Sequence, residues 1–373
     1  MAARRSALER LLDWCAIPSV SRDERGVADA VGADLADLGL AVSESDPVGD
    51  GNAGNLYARL EPTGAGTPIL LCAHLDTVPL ADVLEPVVDD DGMVTNRAPT
   101  ILGADDKVAL ATMITAVERV VADGLPHPGI ELLLTVQEEI GLRGAKAHDA
   151  STLRARAAFV YDVEGPVGEV IVAAPSQRSI DAQFTGRAAH AGMSPELGRS
   201  AILAAARAIA AMPHGRIDPE TTANVGTISG GSARNAVAAR ASFQAEIRSL
   251  GDAALHRELT RALDAITDAA NATEVDVATN VLDEYRAYRH RPDAPILTLA
   301  EEALRSVGAE PRRVPTGGGA DAHILNAAGI PSINLAFGCT GFHSADERVP
   351  AADLDRMVDV TLAIVEGARR GIG

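Results

Sequence analysis

The chain has little of what would cross-link it, carry it through a membrane or draw it to nucleic acid. Its three cysteines, Cys15, Cys72 and Cys339, stand far apart with no paired spacing. So few thiols exclude a disulfide framework and a thiolate zinc cluster, and they suit a reducing compartment. No apolar run approaches the roughly 20 residues that a membrane span needs. Cations are in deficit, since 33 Lys and Arg face 52 Asp and Glu for a net charge of -19. That balance argues against nucleic acid or an anionic membrane as partner. Arg4 and Arg5 are soon followed by Glu9 and Asp13, so the first residues do not read as a signal peptide. Internal repeats are absent, and the only compositional bias is alanine richness. The expectation is a soluble cytoplasmic protein.

What is present is enough for a large core. Hydrophobic residues make up 47% and charged residues 23% of the 373, so the chain is globular, with one large domain and a smaller one as the natural division. Ser6 and Glu9 form a capping box before a helix whose Leu8, Leu11, Leu12 and Cys15 share a face, and Pro18 ends it. Ser21 and Glu24 repeat the pattern ahead of a second helix that Gly39 terminates.

Strand-like runs at 40–44, 55–60, 69–73, 130–136, 157–161 and 330–336 alternate with helices at 105–124, 293–306, 321–328 and 351–369, while 80–100 reads as irregular. That alternation implies an α/β domain with a mostly parallel sheet and helices on both faces. Residues 177–288 differ. Their order of strand, helix, strand, strand, helix, strand is the ferredoxin-like α+β pattern. The expected organisation is a domain of 1–176 and 289–373 with a lid inserted at 177–288.

The chemistry lies where the buried runs end. The run from Ile69 to Ala73 delivers His74 and Asp76 to one side, away from Leu75. Asp105 and Asp106 open a helix; 130–136 ends in Gln137, Glu138 and Glu139; 157–161 ends at Asp162; and 330–336 leads into a glycine-rich loop holding His343. Each has an ordinary reading as a helix-dipole partner or a solvated turn. Their recurrence at the ends of separate strands, where α/β folds place their sites, favours a metal centre.

Two imidazoles and three carboxylates, His74, Asp105, Glu139, Asp162 and His343, exceed one tetrahedral zinc that keeps an open position. They suit two divalent ions about 3.5–4 Å apart with a carboxylate bridging. A bridging water would have its pKa lowered from about 15.7 toward about 7. One of the carboxylates left over, Asp76 or Glu138, could take its proton and pass it to a leaving amine.

His-Leu-Asp-Thr-Val-Pro at 74–79, Gly-Ala-Asp-Asp-Lys at 103–107, Gln-Glu-Glu-Ile-Gly at 137–141 and Phe342-His343 together resemble the dinuclear zinc exopeptidases that include peptidase T, glutamate carboxypeptidase and aminoacylase. Gly-Ala-Asp-Asp-Lys and Gly-Pro-Val-Gly-Glu-Val at 165–170 are similar to the peptidase T-like branch. The resemblance covers nearly the whole chain.

It implies that Asp105 bridges the metals, with His74 and Asp162 on one and Glu139 and His343 on the other. By the same resemblance Asp76 orients His74, and Glu138 is the general base. The lid's Asn235 and Arg248 match groups that hold a substrate carbonyl or free carboxylate. His190, a lone histidine among small residues, would supply a donor to the developing oxyanion, in its own subunit or across a lid-mediated homodimer. The ions would be two Zn2+, with Co2+ or Mn2+ as alternatives. The sequence departs from the family at Val108-Ala109 and at Ala320, where relatives more often carry glycine and Ser or Thr respectively.

Three functions follow in order: an exopeptidase on short peptides of the tripeptidase kind, an N-acyl-amino-acid deacylase on the same scaffold, and a non-catalytic metal-bound peptide-binding protein. Gly317, Gly318 and Gly319 match no phosphate-binding spacing and read as a close-approach loop. His127, His148, His214 and His256 read as surface histidines, His290 as a hinge, and Cys72 as a small core residue.

Overall fold

The structure, a computed structural model, describes residues 4–372. It divides into two compact units, Met1–Val172 with Arg289–Gly373, and Ala173–Tyr288.

The first unit is organised on Ile69–His74, a strand buried along its whole length. It pairs in parallel with Ile130–Thr135 on one side and Ala157–Val160 on the other, and Ser332–Leu335 continues the parallel run beyond Ala157–Val160. Strands covered on both faces have no polar face to show, which is why they read as continuous apolar runs. Leu56–Leu60 and Val42–Glu44 extend the sheet antiparallel past Ile130–Thr135, and Glu169–Ala174 does so at the other side, in a nine-stranded sheet.

Alternation sorts the two faces. Ile69, Leu71 and Ala73 join the main core beneath helices Ala7–Cys15, Ala104–Ala122 and Ala351–Arg369. Cys72, on the opposite face, approaches Asp321 at the start of the short helix Ala322–Ala327. The chemistry-bearing residues therefore emerge together at the carboxyl ends of the parallel strands.

Three local readings change. The Ser6–Glu9 capping box is present, but Ser21 and Glu24 do not cap helix Arg25–Asp37. Ser21 Oγ donates to Asp76 and Glu24 accepts the Arg22 and Gln137 N–H groups. The segment 80–100 contains a hairpin, Pro86–Val88 with Met93–Asn96, completed by Arg348–Pro350. Those strands of three or four residues are too brief for alternation to reveal. His127 is buried, 2% exposed, rather than on the surface.

The second unit is a five-stranded antiparallel sheet in the order Gly215–Asp218, Thr221–Gly230, Arg240–Ser249, Ser176–Thr185, Asp276–Tyr285. Helices Ala201–Ala211 and Asp252–Thr273 pack on it. Ala201, Ala204, Ala205 and Ala208 recur at helical spacing and are fully buried, so small side chains let this helix lie close to its neighbours. Apart from the short first strand, the order is ferredoxin-like.

Candidate active site

Asp105 stands at the centre. Its Oδ1 lies 3.2 Å from His74 Nε2 and its Oδ2 lies 3.2 Å from His343 Nε2, so each oxygen faces a different imidazole. The residue precedes regular helix: Gly103 has φ 73, and Asp105 and Asp106 have non-helical angles. The carboxylate thereby leaves the helix start instead of folding back as a cap. Burial would raise the pKa of Asp105, yet hydrogen bonds from His343 and His74 hold it at about 2.

His74 is fixed from three sides. Its N–H donates to Asp106 Oδ2 at 3.2 Å, its Nδ1 is 2.9 Å from the Asp76 carbonyl, and Nδ1 is 3.6 Å from Asp76 Oδ1. The carbonyl, more than the carboxylate, orients the ring. Burial works to lower the His74 pKa, and the Asp105 and Asp76 contacts outweigh it and hold it well above the usual value.

The Asp76 carboxylate has other partners. Oδ1 accepts the Glu138 N–H at 2.9 Å, and Oδ2 accepts the Glu139 N–H at 3.2 Å and the Ser21 hydroxyl at 2.7 Å. The turn it holds begins at Gln137, whose φ of 55 lies in the left-handed region. That conformation costs a non-glycine residue about 1–2 kcal/mol. Gln137 is pinned by Glu24 at its N–H and by its own Nε2 donating to the Val48 carbonyl at 2.6 Å. The bend sends Glu138 and Glu139 to different places. Glu138 offers an oxygen beside His74 and Asp162, whereas Glu139 groups with His74 and Asp105 and lies 3.1 Å from His343 Nε2.

Asp162 follows strand Ala157–Val160, with its N–H donating to Asn334 Oδ1 at 2.8 Å and its carbonyl accepting from Asn334 Nδ2 at 2.6 Å. Burial, then the nearby Asp105, pushes its pKa well up. Burial and Asp162 do the same to Glu138. His343, half-exposed on a loop with φ 61, is raised to about 10 by hydrogen bonds to Asp105 and Glu139.

This donor set fits divalent cations. Asp106 Oδ1 is buried without a hydrogen bond, and Glu139 Oε1, also buried, has only His343 beside it at 3.1 Å. Buried carboxylates left so are costly unless a cation neutralises them. The ligand types, imidazole and carboxylate, are those of zinc, with cobalt and manganese as further candidates.

The sequence-predicted residues of the first unit, His74, Asp76, Asp105, Glu138, Glu139, Asp162 and His343, thus converge. Those of the second unit have their own setting. His190 is exposed, and its Nδ1 accepts the Gly192 and Met193 N–H groups at 3.1 Å each. Asn235 is beside it, its carbonyl accepting the Ala191 N–H at 2.9 Å. Arg248 stands at the far end of strand Arg240–Ser249, engaged by both oxygens of Glu246 at 3.0 Å.

The sequence points to Ser21 and Glu24 only as helix caps, and it gives no site role to Asn334 or Glu347. The last accepts the Gly103 N–H at 2.8 Å and the Asp105 N–H at 2.9 Å. Its only signal was an acid four residues after His343.

Comparison with known proteins agrees with this centre. Residues 70–367 match the model of peptidase family M20/M25/M40. The uncharacterized protein YqjE of Bacillus subtilis is 35% identical, over 99% of this chain and 100% of its own. A tripeptidase from Staphylococcus aureus superposes with TM-score 0.90 at 32% identity, over 99% of both chains. Aminopeptidase PepT from Bacillus cereus gives 0.85 at 34% identity, over 98% of this chain and 99% of its own. A family match over most of its length, on a mostly parallel sheet that gathers such ligands at its strand ends, places the chain in peptidase family M20/M25/M40, as a metal-dependent peptidase of the peptidase T-like branch.

Proposed function

We propose that the protein is an exopeptidase that removes residues from short peptides, tripeptides foremost, using two zinc ions. The observation that carries this reading is the carboxylate of Asp105 facing His74 with one oxygen and His343 with the other, each at 3.2 Å. The tripeptidase of Staphylococcus aureus and the aminopeptidase of Bacillus cereus support the substrate class.

In this reading His74, Asp162 and Asp105 hold one ion, and Glu139, His343 and Asp105 the other. When bound, the ions supply Lewis acidity to the scissile carbonyl and lower the pKa of the attacking water toward about 7. Glu138 takes the water's proton on its carboxylate and delivers it to the leaving amine. Its buried setting raises its basicity toward that task. Asp76 keeps Glu138 and Glu139 apart by holding both backbone N–H groups. His190 donates to the oxyanion, Asn235 contacts the substrate, and Arg248 meets a free carboxylate in exchange for Glu246. A homodimer formed through the second unit and a cytoplasmic location complete the proposal.

A panel of di- and tripeptides and N-acyl amino acids, given to zinc-loaded protein, tests it. Tripeptides should be turned over fastest. Cleavage of acylated amino acids alone would assign a deacylase, and no cleavage of any would leave only peptide binding.

A further inference from the structure

Glu347 is 2% exposed and belongs to no ligand group. Both its oxygens are engaged by backbone: Oε2 accepts from Gly103 N and Oε1 from Asp105 N, at 2.8 and 2.9 Å. Those N–H groups lie where the chain is not yet helical, with Gly103 at φ 73 and Asp105 at ψ 106. Helix Ala104–Ala122 has no side-chain cap from its own N-cap residue. A carboxylate 242 residues beyond Asp105 takes that place, and it fixes the peptide plane that aims Asp105.

Glu347 also closes the loop that carries His343. Its N–H donates to the Ser344 carbonyl at 3.2 Å, Ser344 N–H donates to Gly341, and Arg348 exchanges backbone bonds with Thr340. One side chain thus ties the backbone of Asp105 to the loop of His343. The same small cavity is lined by Asp105, Glu139, His343 and Glu347. His74 itself does not touch this tie, being held by its strand, by Asp106 and by the Asp76 carbonyl.

We infer that Glu347 is a positioning residue for the second metal site, the one formed by Asp105, Glu139 and His343. It keeps Asp105 able to bridge, and its loss weakens the second site more than the first, which retains His74 and Asp162. This inference rests on the ligand assignment of the proposed function.

The test is zinc titration by calorimetry on chelator-stripped protein, with cobalt absorption as a second readout of coordination. Glu347→Gln places an amide NH2 against a backbone donor, and Glu347→Asp withdraws both oxygens by a methylene. In each variant the second site should weaken by about 10–100-fold, as loss of a ligand's supporting partner does, with the first site weakened far less. Equal weakening of both sites, in step with a fall in the melting temperature of the metal-free protein, would make Glu347 merely structural and overturn the inference. So would two unchanged sites, or failure of both variants to fold. Wild-type protein taking up fewer than two ions would instead overturn the ligand assignment, before any variant is compared.

Discussion

Asp76 accepts a 2.9 Å hydrogen bond from the backbone N–H of Glu138, while its other oxygen accepts from Glu139 and Ser21. One carboxylate thus holds the turn that separates the proposed base from a proposed ligand. Asp76→Ala should leave the fold intact and lower metal affinity and turnover together, by about 10–100-fold. Metal titration and initial rates check this. Ser21→Ala removes only one of the three donors, so its loss should be the smaller.

Glu138→Gln keeps shape and removes basicity. Metal content should be unchanged while turnover falls by about 10²–10⁴-fold, the range for a proton-transfer residue. Elemental analysis beside a rate measurement decides. A variant losing metal in proportion to activity would make Glu138 a ligand, a role its place beside His74 and Asp162 also permits.

Chelation should abolish activity, and zinc or cobalt should restore it, with two ions per chain at saturation. Asp105→Ala should lose both ions, because each of its oxygens faces a different imidazole. His343→Ala should weaken mainly one. Equal loss from the two variants would remove the bridging role from Asp105.

Metal uptake should release protons. In the metal-free protein His343 is held at about 10 by Asp105 and Glu139, so at pH 7 the imidazole carries a proton that a cation must displace. The sign follows: the ion-pair contribution of His343 to the metal-free fold is full below the ordinary value of 6.5, declines above it and is gone once pH passes about 10. Affinity for the ion at His343 should therefore climb with pH, by about tenfold per unit while one proton is displaced. Calorimetry in buffers of different ionisation enthalpy measures the proton count. A count of zero would mean that His343 is already neutral.

Much of this was legible in sequence because the central strands are buried on both faces. An apolar run that ends in His74, Glu138 or Asp162 announces both the strand and the site. What was not legible depends on distant contacts. Ser21 and Glu24 satisfy the spacing of a capping box, yet tertiary partners, Asp76 and the Gln137 N–H, outcompete the local bonds. Glu347 carries no signal of its role in the sequence, since nothing local shows that its carboxylate serves residues 103 and 105. His127 sits between two prolines and seemed exposed, but the chain packs over it. Arg248, matched by resemblance to a group that holds a substrate carbonyl or free carboxylate, pairs with Glu246 two residues before it.

His190 carries the last prediction. Its Nδ1 accepts the N–H groups of Gly192 and Met193, so a neutral ring must carry its proton on Nε2. That leaves an outward N–H donor on an exposed imidazole whose backbone is tied to Asn235 through Ala191. In the proposed role such a donor would stabilise charge that develops only in the transition state. His190→Ala should bind both ions normally and lose about 10²–10³-fold in kcat, the cost of one missing oxyanion donor. Equal kcat for variant and wild type would leave His190 a surface residue beside a turn. Mixing His190→Ala with Glu138→Gln then locates the donor. If it acts across a homodimer, mixed dimers join one intact His190 to one intact Glu138 and recover activity. If it acts within its own chain, no mixed dimer does, even after subunit exchange is demonstrated by labelled protein.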